Sequence, residues 1–147
     1  MPRKPNVWLC KTEPDCYNFD RLVEDTRTVW DGVSNAAANI HLRAMRPGDL
    51  ALIYHTADQK RIAGLAKVVS DPYEDPANPG LNKKGDIASP VVDVEPVRPA
   101  RKPLTLNDIK LDPRYAIDGF DLVRLPRLSV MPVPPEAWAL IKSDAGL

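Results

Sequence analysis

The sequence predicts an α+β domain built on a curved, mostly antiparallel sheet with helices around it, close to a small open barrel. Two apolar, strand-like runs flank a short polar turn, which is the pattern of an antiparallel hairpin. Short amphipathic helical segments alternate with such runs along the chain. Sixteen prolines favour extended connections over long helices in the second half. We expect one domain over residues 1–147, with a core of about residues 6–142.

The individual elements follow from hydrophobic periodicity and from turn residues. Apolar runs of strand length predict strands at Asn6–Lys11, Leu50–His55, Ile62–Val69 and Val91–Val97, with a last short one within Leu125–Val133. Apolar faces at helical spacing predict helices at Phe19–Asp25, Asn35–Met45, Leu104–Lys110 and Pro134–Lys142. Pro, Asp, Asn, Gly and Lys dominate residues 71–90, which predicts a loop there.

Short polar side chains before the helices predict their N-caps. The candidates are Asn18 or Asp15 for the first helix, Ser34 or Asn35 for the second, and Thr105 for the third. A glycine inside a strand often marks a bulge or the close approach of another group. We therefore expect one of these features at Gly64.

The composition excludes several classes of function. The 20 basic and 20 acidic residues cancel, whereas a protein that grips many phosphates is expected to carry an excess of Lys and Arg. The balance argues against a strong non-specific DNA binder, but it allows recognition of a single base. Cys10 and Cys16 are too far apart for a CxxC motif, and the chain has only two histidines. No glycine-rich phosphate loop occurs, so we predict neither a metal site nor a cofactor.

No apolar run has the length of a membrane span, and the N-terminus lacks the hydrophobic region of a signal peptide. We expect a cytoplasmic protein with no membrane partner. A monomer is the default expectation.

Trp30 and Asp31 lie just before the second predicted helix, where an aromatic plate, a carboxylate and free backbone N–H groups meet. Such a junction suits a flat, polar ligand. Trp30 equally fits the core, where tryptophan usually packs. As a plate it would contribute about 1–3 kcal/mol of stacking to a base, and Asp31 could accept a hydrogen bond from an exocyclic amine.

Two strand ends carry further polar groups. Lys11–Glu13 follows the first strand and is either an ordinary polar turn or a cluster that reaches a ligand. Tyr54–Thr56 ends the strand before the hairpin turn. A catalytic role for His55 would require a partner such as Asp31 or Glu13, and no nucleophile motif such as GxSxG accompanies it. A structural or ligand-contacting histidine is the favoured interpretation.

Together these motifs resemble the EVE domain family over about residues 7–141. The resemblance is carried, in order, by WLCKTEP at 8–14, WDGV at 30–33, LR at 42–43, PGD at 47–49, YHT at 54–56, IAGL at 62–65, DV at 93–94, RLSVMPV at 127–133 and Trp138. It implies a PUA-like fold, a pseudo-barrel of curved mixed sheet. It also implies a non-enzymatic module that holds a modified base in an aromatic pocket, with nucleic acid as the partner and DNA favoured over RNA.

In this resemblance Lys11 and Thr12 border the pocket, Trp30 forms its aromatic wall and Asp31 touches the base edge. The implied base-binding residues are Lys11, Thr12, Glu13, Trp30, Asp31, Ser34, Asn35, Tyr54, His55 and Thr56. Modified cytosine in DNA is the first candidate ligand. A PUA-like RNA-binding module, which requires a basic surface groove, and a small-ligand or nucleobase enzyme using His55 remain alternatives.

The chain departs from the family pattern close to this site. Ser34, Ala36, Asn39 and Ser89 stand where Arg, an aromatic residue, Arg and Trp are common in the family. Fewer cations and aromatic rings around the pocket predict that the base contacts are kept while the contacts to a surrounding duplex are weaker.

Overall fold

The computed structural model describes residues 4–147. In order, these residues form β1 (Val7–Thr12), α1 (Phe19–Asp25), β2 (Thr28–Trp30), α2 (Ala36–Ala44), β3 (Leu50–His55), β4 (Arg61–Val68), β5 (Tyr73–Glu74), β6 (Pro90–Pro99), α3 (Leu106–Leu111), a short 3-10 helix (Pro113–Tyr115), β7 (Val130–Pro132) and α4 (Pro135–Asp144). None of the helices in this part of the chain is long and apolar enough to cross a membrane.

The strands form one curled sheet in the order β2-β6-β4-β3-β1-β7, and β5 pairs with β6 beside this path. β1 and β3 run parallel, and all other neighbours are antiparallel. α2 packs against both β7, at one end of the sheet, and β6, which is next to the other end. The predicted class, an α+β arrangement of a curved mixed sheet with peripheral helices, is confirmed.

The parallel pair brings two of the predicted polar segments together. Lys11 lies opposite Tyr54 and Thr12 lies opposite His55 in the register of β1 and β3. The backbone N–H of Thr56 then donates to the carbonyl of Thr12 at 3.0 Å. The carboxyl ends of these strands therefore meet at one edge of the sheet.

A buried carboxylate joins the start of β1 to the end of α2. Asp49 is fully buried, and its side chain accepts hydrogen bonds at 3.0 Å from the backbone N–H of Asn6, the indole Nε1–H of Trp8 and the backbone N–H of Arg46. Buried carboxylates are stable only when hydrogen bonds or charges compensate their lost hydration. The PGD segment at residues 47–49 therefore links the start of β1 to the residues that follow α2.

The capping predictions for α1, α2 and α3 resolve to one residue at each of these helices. The side chain of Asn18 caps α1, that of Asn35 caps α2 by accepting from Ala37 and Ala38, and Thr105 forms a capping box with Asp108 at α3.

Gly64 has both of the features expected of a glycine in a strand. The pairing of β4 with β3 shifts register next to it, between Ile53 and Tyr54. The ring of Phe19 also covers it so closely that a Cβ atom on Gly64 would lie 2.6 Å from two ring carbons.

The differences from the prediction concern two short strands and the ends of two others. β2 and β5 have only three and two residues, too few for a periodic signal, and β5 lies within the predicted loop. β6 begins at Pro90 and extends to Pro99, beyond both predicted ends. β7 occupies only Val130–Pro132 of the predicted last strand. Pairing with neighbouring strands, rather than local pattern, decides these bounds.

Candidate functional site

A cavity of about 830 Å³ opens where the end of β1, the end of β2 and the start of α2 meet. The segment before β7 closes its fourth side. Its lining consists of Lys11, Thr12, Glu13, Cys16, Tyr17, Thr28, Val29, Trp30, Asp31, Gly32, Val33, Ser34, Asn35, Arg127 and Ser129.

The structure brings most of the predicted site residues to this one cavity. Those in its lining are Lys11, Thr12, Glu13, Trp30, Asp31, Ser34 and Asn35. Their part in binding a base remains a prediction. Tyr54, His55 and Thr56 do not contribute to the lining. They lie behind the cavity wall, where Tyr54 lies under the Lys11 ammonium, His55 bonds to Phe19 and Thr56 bonds to Thr12.

Trp30 belongs to the core and to the cavity wall at once. Its residue surface is only 6% exposed, and its backbone pairs with Val92 of β6. Tyr17 meets the indole edge to face, with ring centroids 6.4 Å apart and planes at 84°. The two rings therefore form a rigid aromatic corner. A limited part of the indole surface faces the cavity.

A tight turn after β1 places Cys16 and Tyr17 at the cavity. The carbonyl of Glu13 accepts from the backbone N–H groups of both, each at 2.9 Å, and the Thr12 hydroxyl donates to the Tyr17 carbonyl at 2.8 Å. The Tyr17 hydroxyl donates to Asp25 at 2.9 Å, and burial is the main cause that raises its pKa. The sequence analysis missed Tyr17, although its position directly after the polar turn was a usable signal.

The Lys11 side chain is fixed at the cavity wall by two contacts. Its ammonium donates to the carbonyl of Pro126 at 2.9 Å and lies 5.8 Å from the ring centroid of Tyr54. Burial lowers the pKa of Lys11. Its backbone N–H donates to the carbonyl of Ser129 at 2.8 Å, so pairing with the segment before β7 brings Ser129 and Arg127 to the cavity. The sequence analysis did not assign these two residues to the site, although both lie in the RLSVMPV motif at 127–133.

His55 is not placed as the pocket residue that the sequence analysis expected. It is 5% exposed, and its Nε2 accepts the backbone N–H of Phe19 at 3.1 Å. The ring proton then belongs on Nδ1, which lies 2.7 Å from Oε1 of Gln59 and donates to it. With both nitrogens occupied by these partners, His55 has no free atom for acid–base chemistry with Asp31 or Glu13. The enzyme alternative loses its basis here.

The charges around the cavity balance. Lys11 and Arg127 contribute positive charge, and Glu13 and Asp31 contribute negative charge. Such a lining suits a neutral, polar ligand better than a multiply charged one. Within residues 4–147 no group of His, Cys, Asp and Glu side chains could hold a metal ion.

Comparisons with known proteins agree with this architecture. The family model of the EVE domain matches residues 6–143. Mouse thymocyte nuclear protein 1 is 32% identical over 164 residues, which cover 94% of this chain and 73% of the relative. The structure of Rpa0253 from Rhodopseudomonas palustris matches with a TM-score of 0.83 and 36% identity, over 96% of this chain and 93% of that one.

A further solved structure is the human THYN1 protein in complex with 5-methylcytosine-containing DNA. It matches with a TM-score of 0.81 and 26% identity, over 94% of this chain and 96% of that chain. These likenesses confirm the PUA-like fold that the sequence motifs implied. Because the family model covers nearly the whole chain, this protein belongs to the EVE domain family.

Proposed function

We propose that this EVE domain binds a modified base of a nucleic acid, without chemically changing it, in the cavity beside Trp30. Modified cytosine in DNA is the first candidate. The observation that carries the proposal is the lining of the cavity, which combines an aromatic corner, two exposed carboxylates and the start of a helix. The complex of the human THYN1 protein with 5-methylcytosine-containing DNA supports it.

The lining suits the edge and the faces of a base. Asp31 is exposed and can accept a hydrogen bond from the exocyclic amine of cytosine, as carboxylates do in base recognition. Trp30 and Val33 offer apolar surface to the ring and to a methyl substituent. Gly32 has a φ of 75°, so the backbone turns there in a conformation that other residues adopt at a cost.

Balanced charge in the cavity fits a base rather than a phosphate. A base leaves a duplex at a cost of a few kcal/mol, least when it is damaged, mismatched or already single-stranded. Full stacking is worth about 1–3 kcal/mol per base, and the exposed part of Trp30 supplies a share of it. One good edge contact, also worth about 1–3 kcal/mol, supplies the rest of what is needed to offset this cost. RNA is the alternative partner. The cytoplasmic location and the monomeric state remain predictions.

The test is a set of fluorescence titrations with labelled oligonucleotides. Single-stranded and duplex DNA and matched RNA would carry one plain cytosine, 5-methylcytosine, adenine or N6-methyladenine. We expect tighter binding to a modified base than to its plain form. Replacing Asp31 by Asn removes the acceptor charge from an exposed residue. It should weaken binding of the cytosine and 5-methylcytosine oligonucleotides alike, about tenfold, because both bases carry the exocyclic amine and one good base contact is worth about 1–3 kcal/mol.

Asp118→Asn is the matched control, because Asp118 is also exposed and does not line the cavity. Trp30→Phe keeps an aromatic filler in the core while reducing the stacking surface, and should weaken all base-dependent binding. Failure of the wild-type protein to bind any of these oligonucleotides at low salt would refute the proposal. Asp31→Asn behaving like Asp118→Asn would refute the role of Asp31.

A further inference from the structure

A second cleft, of about 530 Å³, lies between α2 and the loop before β6. Its polar lining includes Ser34, Asn39, Arg43, Lys83, Lys84 and Asp86. Ser34 also lines the cavity beside Trp30. The two spaces are therefore neighbours that share one residue at the start of α2.

Asn39 marks this cleft as a place for a polar partner. The residue is 7% exposed, and its side-chain oxygen Oδ1 is buried without a hydrogen-bond partner among the described residues. About nine in ten or more of buried polar groups are hydrogen-bonded in native proteins, and each exception requires an explanation. Rotation of the amide by half a turn exchanges its oxygen and its N–H group, so Asn39 can serve either a donor or an acceptor.

The loop that faces Asn39 is held in a fixed shape. Oδ1 of Asn82 accepts from the backbone N–H groups of Lys84 at 2.9 Å and Asp86 at 3.0 Å. From α2, Arg43 donates to the carbonyl of Ile87 at 2.7 Å. These bonds fasten the loop to the helix, and so they fix where the backbone of Lys83 and Lys84 lies.

The charge of the cleft differs from that of the cavity. Lys83 and Lys84 are exposed, and neither forms an ion pair with a carboxylate in the described part of the chain. Arg43 bonds to carbonyl oxygens rather than to a carboxylate. Asp86 is the acid among the lining residues. Three cations against one anion make this cleft attractive to a phosphate.

We propose that this cleft binds the phosphate-bearing nucleotide that flanks the base held beside Trp30. Lys83 and Lys84 contact the phosphate, and the Asn39 amide hydrogen-bonds to the sugar or to the base edge of that nucleotide. The inference rests on the proposed function. The loop before β6 then supplies positive charge to this cleft. α2, on the other side, carries Ser34 and Asn39 instead of the arginines common in the family.

The salt dependence of oligonucleotide binding tests this inference. Each phosphate contact contributes about 0.7 for a single strand, and about 0.9 for a duplex, to the slope of log K against log salt. Because both lysines contact the same phosphate, the double variant Lys83→Gln, Lys84→Gln should have a slope shallower than that of the wild type by about 0.7 or 0.9, respectively. Between 50 and 200 mM salt, the advantage of the wild type should shrink about 2.6-fold for a single strand and about 3.5-fold for a duplex.

The control is Lys67→Gln, Lys110→Gln, which removes the same charge from exposed lysines that line neither space. A second probe is the free modified nucleoside, which has no phosphate and should bind equally to the wild type and to the Lys83, Lys84 variant. Asn39→Ala should weaken oligonucleotide binding several-fold while its melting temperature stays close to the wild-type value, because Oδ1 bonds to nothing in the described protein.

The outcomes separate the two proposals. If the wild type binds the modified oligonucleotide and the Lys83, Lys84 variant has the same slope as the control, the cleft inference is wrong and the proposed function stands. Loss of free-nucleoside binding in that variant would also overturn the cleft as a phosphate site. Failure of the wild type to bind both probes would refute the proposed function and this inference with it.

Discussion

The backbone N–H of Phe19 donates to Nε2 of His55 at 3.1 Å, and this bond joins the first residue of α1 to the last residue of β3. The first N–H groups of a helix have no partner within the helix. His55 satisfies one of them and is in turn oriented by Gln59. The histidine that the sequence analysis weighed as a catalytic candidate therefore acts as part of the fold.

Replacing His55 by Ala should destabilise the protein. A buried N–H left without an acceptor costs about 1–3 kcal/mol, and the lost ring adds a small cavity. We expect urea unfolding to show a loss of about 2 kcal/mol or more. His41→Ala, at a partly exposed histidine that packs against Trp8, should cost less. Unchanged stability together with lost ligand binding would contradict the structural role of His55.

Gly64→Ala should also be destabilising, for a steric reason. The added Cβ would lie 2.6 Å from ring carbons of Phe19, and overpacking of this kind typically costs about 1–3 kcal/mol. Adding Phe19→Leu should recover part of the loss, because the smaller side chain removes the ring atoms involved. Thermal unfolding of the two single variants and the double variant gives the coupling. Simple additivity of their effects would mean that the ring is not the obstacle.

The two cysteines should differ sharply in reactivity. Burial raises the pKa of Cys10 to about 12, whereas Cys16 is exposed and lines the cavity. The hydrogen bond with Glu13 is the main cause that raises the pKa of Cys16, so its labelling should be slow but detectable at pH 8.

We expect one thiol to react with a disulfide reagent in the folded protein, and the second only after unfolding. Cys16→Ser should abolish the first reaction. A ligand that fills the cavity should slow labelling of Cys16. Simultaneous reaction of both thiols in the native state would show that Cys10 is not enclosed as described.

Tyr73→Phe should change how stability depends on pH. The Tyr73 hydroxyl donates to Asp93 at 2.6 Å, and Arg27 bonds to the same carboxylate at 2.9 Å. Burial alone would raise the pKa of Asp93, but these two bonds outweigh it and lower the pKa. The bond to Asp93 is also the main cause that raises the pKa of Tyr73 to about 12.

These two pKa shifts determine how the free energy of unfolding changes with pH. A lowered pKa of Asp93 adds stability above its unfolded value near 4, which is lost as pH falls. A raised pKa of Tyr73 adds stability below its unfolded value near 10, which is lost as pH rises. Tyr73→Phe should therefore lower the free energy of unfolding by about 1 kcal/mol between about pH 4 and about pH 10, and by less outside this range. Denaturant midpoints at several pH values measure this, and a pH-independent difference would contradict the linkage.

Local signals in the sequence were sufficient for much of this protein. Apolar runs of strand length predicted β1, β3, β4 and the middle of β6. In β3 and β4 the run is continuous, because both faces of these strands are buried. Asn35 and Thr105 are caps because their short side chains reach backbone N–H groups a few residues away. The aromatic and acidic pair Trp30 and Asp31 needed no distant partner to be recognised as a candidate wall.

Tertiary structure alone decided the rest. Arg127 and Ser129 reach the cavity because β7 pairs with β1 from the far end of the chain, and no local pattern encodes that pairing. Whether His55 faces the cavity or α1 depends on which N–H its Nε2 accepts. The burial of Asn39 and the position of the loop opposite it likewise follow from packing between segments more than 40 residues apart. Periodicity and capping are interactions between near neighbours, whereas a cavity wall is assembled from strands and loops that meet only in the folded chain.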